Sequence, residues 1–322
     1  MNRFHGLSAY LKRRFGGRVH KIPLDAGFTC PNRDGSLSTR GCAFCDAKGA
    51  GTGLLAGGAD LAAQWEKWRT QLGDKYGAQL FLAYLQSYSN TYGPIEHLRA
   101  TLERITPLPQ LAGICIGTRP DCLDDAKLDL LADQPIQEIW LDLGLQSARN
   151  DTLARINRGH TAETFAAATR AAAERGLKVC AHLIMGLPGE DEEDFLASVD
   201  YVNALPIHGI KLHNLFICPG TPLEDMWRTS PFPLPSRGEY IEAVVFALEH
   251  LRPEIVVHRI VSDPESGQLV APEWAAMKRP TMNGVTTALA RLDTWQGRAL
   301  APDRPMPEWF EHDVPYPQGL FA

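Results

Sequence analysis

Three cysteines near the amino terminus have a spacing that suits an inorganic cofactor. Cys42 and Cys45 form a Cys-x-x-Cys pair, and eleven residues (31–41) separate this pair from Cys30. The intervening loop is rich in Gly, Pro, Asn, Asp and Ser, which favour turns over core positions. Three thiolates on such a loop can bind three irons of a 4Fe–4S cluster and leave the fourth iron open to a non-protein ligand.

Two other interpretations of these cysteines stay open. A structural zinc site needs four ligands, so a Cys₃His site would take His20 or His5 as the fourth. A thioredoxin-like redox pair would use Cys42 and Cys45 and would leave Cys30 without a role. We expect the other cysteines to be buried structural thiols rather than metal ligands: Cys115, Cys122, Cys180 and Cys218.

Two further segments place polar groups where predicted strands end. HLIMGLPGED (182–191) puts a Gly-Pro turn there, whose backbone groups can bind an adenine edge; an ordinary loop with Asp191 as the helix cap is the alternative. In GLQSARNDTLARINRGHT (144–161), the Gln146 amide can bind ribose hydroxyls and Arg158 can bind a carboxylate. Surface salt bridges are the alternative for the arginines.

Apolar, β-forming segments recur about every thirty residues and must position these groups. With a first strand just before Cys30, six strand–helix units are predicted, the later strands at 80–86, 111–117, 136–146, 178–188 and 209–217. This alternation predicts an α/β fold with a parallel sheet, namely a partial (βα)6 TIM-like barrel with its chemistry at the carboxyl ends of the strands. A doubly wound open sheet is the alternative.

The chain is expected to divide into a basic N-terminal arm (1–20), a core barrel (21–220) and a C-terminal extension packed on the barrel (221–322). The extension is rich in proline near its start and contains one more candidate strand, EIVVHRI (254–260). The composition, 322 residues with 44% hydrophobic, suits one large core. The absence of a signal-like or membrane-spanning apolar run predicts a cytoplasmic protein with no membrane partner.

The formal net charge is −6, yet residues 1–24 carry six basic side chains and no acid, so the remainder of the chain carries −12. A basic arm on an acidic body suggests an RNA or phosphate partner. The alternative is an amphipathic helix whose apolar face packs on the core through Phe4, Leu7, Leu11 and Phe15.

Five segments, in this order, resemble the radical S-adenosylmethionine (SAM) superfamily and in particular its Elongator-catalytic-subunit-like branch: GTRPD (117–121), GLQS (144–147), INRGHT (156–161), GLKVCAHLIMGLP (176–188) and GIKLH (209–213). The long gap before Cys42, GFTCPNRDG (27–35) and HRI (258–260) are similar to the YhcC-type family of stand-alone radical SAM proteins.

This resemblance implies that Cys30, Cys42 and Cys45 ligate a 4Fe–4S cluster, that SAM binds the open iron, and that reductive cleavage of SAM yields a 5′-deoxyadenosyl radical. It implies catalytic roles for Lys211 and Arg158, the latter holding the methionine carboxylate. The other implied cofactor contacts are Phe44, Gln146, His182, Gly186, Pro188 and Glu190. A lysine in an apolar strand also needs an anionic partner, unless Lys211 reaches solvent at the strand end.

The sequence departs from the family pattern in two places. QSYSNTYGP (86–94) replaces the glycine-rich segment that follows the second strand, so Gln86, Ser87, Ser89 or backbone carbonyls would hold the SAM amine. Gly117 stands where Elongator-like proteins commonly have Glu. No acetyltransferase domain is expected, so we do not expect addition of a carboxymethyl group from acetyl-CoA either.

The Elongator-like branch implies a wobble uridine of tRNA as substrate, with an external one-electron donor such as flavodoxin or ferredoxin. Unpaired bases stack on aromatic rings, and Tyr84, Tyr88 and Tyr92 are candidates unless they serve only in packing. Two alternatives remain: radical SAM chemistry on a small metabolite or porphyrin-like substrate, and a non-catalytic, zinc-stabilised RNA-binding protein.

Overall fold

The computed structural model describes residues 2–46, 49, 55, 58–311 and 313–317. Seven parallel strands form one curled sheet, and their spatial order is their order in the chain. This arrangement confirms the predicted α/β partial barrel, with seven strands rather than six because the candidate strand at 254–260 joins the same sheet. It contradicts the doubly wound alternative, in which the strand order would reverse. The strands are β1 Val19–Leu24, β2 Leu80–Leu85, β3 Leu111–Thr118, β4 Ile139–Gln146, β5 Lys178–Met185, β6 Gly209–Asn214 and β7 Val256–Arg259.

At least one helix lies between each strand and the next, as parallel neighbours require. Several of these helices begin at a side chain that accepts a hydrogen bond from the first turn, for example Asp60, Asp124 and Ser236. The helices are α1 Leu7–Phe15, α2 Leu61–Tyr76, α3 Ile95–Ile105, α4 Asp125–Ala132, α5 Asn150–Arg155, α6 Ala162–Glu174, α7 Glu192–Asn203, α8 Pro222–Thr229, α9 Arg237–Glu249 and α10 Lys278–Arg291.

The strands divide their side chains between the helical layer and the barrel interior. Every residue of β4 is buried. Leu141 and Leu143 belong to the main apolar cluster, together with helix side chains such as Phe165. The residues that alternate with them include Asp142 and Gly144, which line an internal cavity. Because side chains alternate along a strand, one apolar face builds the core while the opposite face supplies the site.

The amino-terminal end of the barrel is closed by α1. Tyr10 and Leu11 pack against interior residues near the strand starts, among them Trp140. The Glu138 carboxylate accepts hydrogen bonds from the Tyr10 hydroxyl at 2.6 Å and from the Trp140 indole at 2.8 Å. Lys178 donates to the same carboxylate at 2.7 Å. The carboxyl ends of the strands, where chemistry was predicted, lie at the opposite end of the barrel.

The helix of the basic N-terminal segment packs on the barrel through its apolar side chains. Leu11 is buried, and Leu7 and Phe15 pack beside it, as the amphipathic-helix alternative predicted. The Arg13 guanidinium donates to the Trp309 carbonyl at 2.7 Å and to the Glu311 carbonyl at 2.8 Å. An RNA-binding role for this segment at the cysteine end of the barrel does not agree with its position.

Within the described residues, no helix combines the length and apolar character needed to cross a membrane.

Candidate active site

The three cysteines lie on the loop that follows β1 and line one cavity of about 630 Å³. The turn at Cys30 is closed by the Arg33 amide, which donates to the Cys30 carbonyl at 2.8 Å. The Cys45 amide donates to the Cys42 carbonyl at 3.0 Å, which brings both side chains of the Cys-x-x-Cys pair to the same cavity. The loop thus assembles three sulfur ligands at the carboxyl end of the sheet.

Hydrogen-bond donors point at the cysteine sulfurs. The Asn32 amide and the Arg158 guanidinium each lie 3.4 Å from the Cys42 sulfur, and the Ser89 hydroxyl lies 3.9 Å from the Cys30 sulfur. Burial raises the pKa of the Cys42 thiol, but Arg158 and Asn32 counteract it, so the pKa lies below the ordinary cysteine value. Burial and the neighbouring Cys42 charge raise the pKa of Cys45 to about 12. This donor set fits an iron–sulfur cluster, because such donors stabilise metal-bound thiolates.

Arg158 is held between the cysteine loop and β4. Its guanidinium donates to the Gly144 carbonyl at 2.7 Å and 3.2 Å. A Cβ at Gly144 would lie 2.5 Å from the Arg158 Nη2 and 2.5 Å from the Gln146 amide nitrogen. Glycine at this position is what allows both polar groups to approach the strand so closely.

Arg119 is a second buried guanidinium on this side of the cavity. It donates to Asp121 through two bonds, at 3.0 Å and 2.7 Å. Its Nη1 has no hydrogen-bond partner among the described residues, although the side chain is only 2% exposed. An unpaired donor in a buried wall suits the carboxylate of a bound ligand.

Most of the predicted site residues come together. Besides Arg158, the cavity is lined by Phe44, Gln86, Gln146, His182 and Lys211. Gln146 ends β4 with a left-handed backbone (φ 81°), which turns its chain out of the strand. The individual contacts of these residues with SAM, and the catalytic roles of Lys211 and Arg158, stay predictions.

Four predicted contacts are not among the described residues that line the cavity: Ser87, Gly186, Pro188 and Glu190. A Cβ at Gly186 would lie 2.7 Å from the Pro235 ring, and the Pro188 carbonyl accepts a hydrogen bond from Arg155 at 2.6 Å. The segment ends in the Asp191 capping box of α7, which is the ordinary loop considered as an alternative. Their roles in binding SAM also stay predictions.

A polar cluster forms the cavity floor, deeper in the barrel. The Asp142 carboxylate lies 2.7 Å from the Lys211 ammonium and 3.9 Å from that of Lys21, and Lys211 also donates to the Tyr84 hydroxyl at 3.0 Å. Burial would raise the pKa of Asp142, but Lys21 and Lys211 hold it well below the usual carboxyl range. Burial, assisted by the Lys211 charge, lowers the pKa of His182 to about 4. The floor therefore holds two lysines, one ionised carboxylate and a neutral imidazole.

Neither histidine considered as a zinc ligand belongs to the cysteine loop. His5 bonds to the Tyr316 hydroxyl at 2.7 Å and to the Glu254 carbonyl at 3.1 Å. His20 stacks on the Tyr76 ring, with 4.8 Å between the centroids. Both lie toward the amino-terminal end of the barrel, so the Cys₃His interpretation has no support from the structure. The four remaining cysteines are buried, as expected.

Sequence reasoning gave no role to several residues of the site. Three of them line the cavity and stand in segments that the sequence had already singled out. Asp142 is a lone carboxylate in the apolar strand IWLDLGLQ, Arg119 belongs to GTRPD, and Arg259 belongs to HRI. Phe216 also lines the cavity, and it is half-buried without belonging to either apolar cluster. Of the candidate tyrosines, Tyr84 is on the floor and Tyr88 lines the wall, whereas the Tyr92 hydroxyl bonds to Ser36 at 2.8 Å.

The sequence matches the family described as the radical SAM superfamily over residues 36–202, more than half of the chain, and the radical SAM C-terminal domain over residues 207–291. The chain belongs to the radical SAM superfamily. It is 39% identical to protein YhcC of Escherichia coli (strain K12) over 270 residues, which cover 82% of this chain and 85% of YhcC. The predicted superfamily and YhcC-type relationship are both confirmed.

Similarity to Elongator-like proteins is more distant. A tRNA uridine(34) acetyltransferase of Dehalococcoides mccartyi is 33% identical over 147 residues, 44% of this chain and 31% of that protein. The structure of the archaeal Methanocaldococcus infernus Elp3 aligns with a TM-score of 0.65 and 19% identity, covering 86% of this chain and 64% of that one. This structural likeness concerns the fold alone. Members of the superfamily are enzymes that use a 4Fe–4S cluster and SAM, so this radical SAM protein is an enzyme with those cofactors.

Proposed function

We propose that Cys30, Cys42 and Cys45 ligate the 4Fe–4S cluster of this radical SAM enzyme, and that the enzyme modifies a uridine at the wobble position of tRNA. The observation that carries the first part is the convergence of three cysteines and an arginine on one cavity, with donors 3.4 Å from the Cys42 sulfur. The cluster and SAM, when bound, would supply reductive cleavage of SAM to methionine and a 5′-deoxyadenosyl radical, with the electron coming from an external donor such as flavodoxin or ferredoxin.

The protein's own contribution is to bind and orient. Arg158 and Arg119 supply guanidinium groups beside the cysteine loop, where the methionine carboxylate of SAM would lie. Gln146 at the end of β4 offers an amide to the ribose, and Phe44 offers a ring to the adenine. The cavity lining also includes Lys211 of β6 and Arg259 of β7, and we assign this part of the wall to the substrate.

The substrate part of the proposal rests on a relative and on the cavity wall. The acetyltransferase that aligns with this chain over 147 residues acts on tRNA uridine 34, according to its name. Tyr88 and Phe216 line the same cavity as the cysteines, and a base extruded from an anticodon loop stacks on rings of this kind. The basic residues of α1 lie at the other end of the barrel and do not enter the proposal.

Cys42→Ala tests the cluster. Anaerobically reconstituted protein should lose most of its iron and sulfide and should release no 5′-deoxyadenosine from SAM, while its circular dichroism stays that of the wild type. Cys122→Ala is the matched control, because Cys122 is buried but is not among the described residues that line the cavity. Wild-type iron content and SAM cleavage in Cys42→Ala would refute the ligand assignment.

Nucleoside analysis tests the substrate. Total tRNA from cells with and without the gene is digested and compared by mass spectrometry. We expect one modified uridine to be lost, with its precursor accumulating, and to return on complementation with the wild type but not with Cys42→Ala. Identical nucleoside profiles would overturn the tRNA part and favour the small-metabolite or porphyrin-like alternative.

A further inference from the structure

Arg259 has an unusual position at the carboxyl end of β7. The pairing of β6 with β7 shifts between Ile210 and Lys211, so that Lys211 pairs with Arg259 rather than with His258. Residues paired across a sheet project to the same face, and a bulge of this kind re-aims a side chain. The irregularity therefore directs Arg259 into the barrel interior beside Lys211, and it lines the main cavity there.

The Arg259 guanidinium has no hydrogen bond and no ion pair with any other described residue. By contrast, Lys211 and Lys21 share the Asp142 carboxylate at 2.7 Å and 3.9 Å. Lys21, Lys211 and Arg259 carry three positive charges and Asp142 one negative charge, which leaves an excess of two positive charges. Cations at a partly desolvated wall need compensation, which an anionic ligand can supply.

The same residues also border a second, smaller cavity of about 200 Å³. It lies at the seam between β1 and β7, the two ends of the strand order. Its described lining includes Lys21, Lys211, Arg259 and His258 and no carboxylate. Burial lowers the pKa of His258 well below its usual value, so the cavity is cationic through its two lysines and its arginine. Five residues line both cavities: Pro23, Tyr84, Gln86, Lys211 and Arg259.

Besides Asp142, the acidic residues Asp46, Asp263 and Glu265 line the main cavity, but none of them lines the seam cavity. Asp263 pairs with the Lys278 ammonium at 2.6 Å, and both Asp263 and Glu265 are exposed. The guanidinium groups of Arg119 and Arg158 lie on the cysteine-loop side of the cavity, where Arg119 pairs with Asp121 and Arg158 donates to the Gly144 carbonyl. The seam is thus a second cationic region of the cavity. It is built by β1, β6 and β7, whereas the first contains Arg119 and Arg158.

We propose that Arg259, with Lys211 and Lys21, forms an anion-binding subsite at the seam between β1 and β7 that takes an acidic group of the substrate, a carboxylate or a phosphate. The proposal rests on the proposed function in one respect, namely that the acidic group belongs to the molecule on which the enzyme acts. Arginine suits such a group because its planar fork can bind two oxygens at once.

Calorimetric titration of the cluster-loaded, SAM-saturated protein tests the subsite. Saturating SAM is there to occupy Arg119 and Arg158, and the probes are sodium phosphate and sodium acetate in a buffer of low chloride. The wild type should bind at least one probe at a single site. Arg259→Gln should weaken this binding by about tenfold or more, the usual effect of losing a charged hydrogen bond.

Arg291→Gln is the matched control, since it removes the same charge from the exposed face of α10 and should bind as the wild type does. Binding of phosphate alone assigns the acidic group to a phosphate, and binding of acetate assigns it to a carboxylate. If neither probe binds, or if Arg259→Gln binds as tightly as the wild type, the proposal is overturned. Should Arg259→Gln fail to fold, Arg259→Lys replaces it and must also bind more weakly, because it loses the fork.

Release of 5′-deoxyadenosine is measured on the same wild-type preparations. Anion binding without SAM cleavage would leave the subsite standing and overturn the proposed function. SAM cleavage without anion binding would overturn the subsite and leave the proposed function standing.

Discussion

Asp142→Asn is expected to destabilise the barrel more than any surface charge substitution, because it leaves buried cations without their counter-ion. The Lys211 side chain is 4% exposed and Asp142 is fully buried. At an effective dielectric constant of about 20, a charge pair 2.7 Å apart attracts by about 6 kcal/mol, and the pair with Lys21 at 3.9 Å by about 4 kcal/mol. The cost of desolvating the three groups offsets much of this attraction.

Breaking a buried ion pair by removing one partner typically costs about 3–5 kcal/mol, and we expect a loss of that size in the free energy of unfolding. Asparagine keeps the shape of aspartate, so the loss reports the charge rather than a cavity. Lys211→Met removes the opposite partner, and the double variant removes both charges. The double variant should be more stable than Asp142→Asn, since no uncompensated Lys211 charge remains.

Urea unfolding of the cluster-loaded protein at pH 7.5, followed by far-ultraviolet circular dichroism, measures all four proteins of this cycle. Asp151→Asn is the control, because Asp151 forms an exposed pair with Arg149 and should unfold as the wild type does. A loss below about 1 kcal/mol in Asp142→Asn, or a double variant no more stable than Asp142→Asn, would refute a buried ion pair of this strength.

Two further predictions concern other parts of the chain. Gly144→Ala should displace Arg158 and weaken SAM binding about tenfold, as measured by equilibrium dialysis. Gly73→Ala is the control, because a Cβ at Gly73 would lie 3.8 Å from the nearest atom and should leave SAM binding unchanged. Equal SAM affinities of the two variants would contradict the placement of Arg158. Burial lowers the pKa of His5 to about 3 from 6.5, so the unfolded chain binds more protons there and stability falls as the pH drops below 6.5. Between pH 7.5 and 5.5, His5 should lower the free energy of unfolding of the wild type by about 1.4 kcal/mol. His5→Gln should lose correspondingly less over the same pH range in urea unfolding. The same pH dependence in the wild type and in His5→Gln would exclude the effect.

Most of the fold could be predicted from local patterns in the sequence. The recurrence of apolar segments with helical patterns between them predicted an α/β fold with a parallel sheet, because strands of this kind are buried on both faces. The Cys-x-x-Cys pair and Cys30 were recognisable because their loop is continuous in sequence. Gln146 was a candidate because it ends an apolar strand, Lys211 because it interrupts one, and His182 through the resemblance to the family.

The sequence by itself determined the family and the alternation of strands and helices, and it predicted the three cysteines as cluster ligands, since each depends on residues that are neighbours in the chain. Only the tertiary structure decided which polar groups meet. It put Asp142 between Lys211 and Lys21 and put the basic α1 at the closed end of the barrel. It also turned Arg259 inward through the irregular pairing of β6 with β7. These relations join strands that are far apart in sequence, and they depend on strand register and barrel closure, which no local pattern encodes.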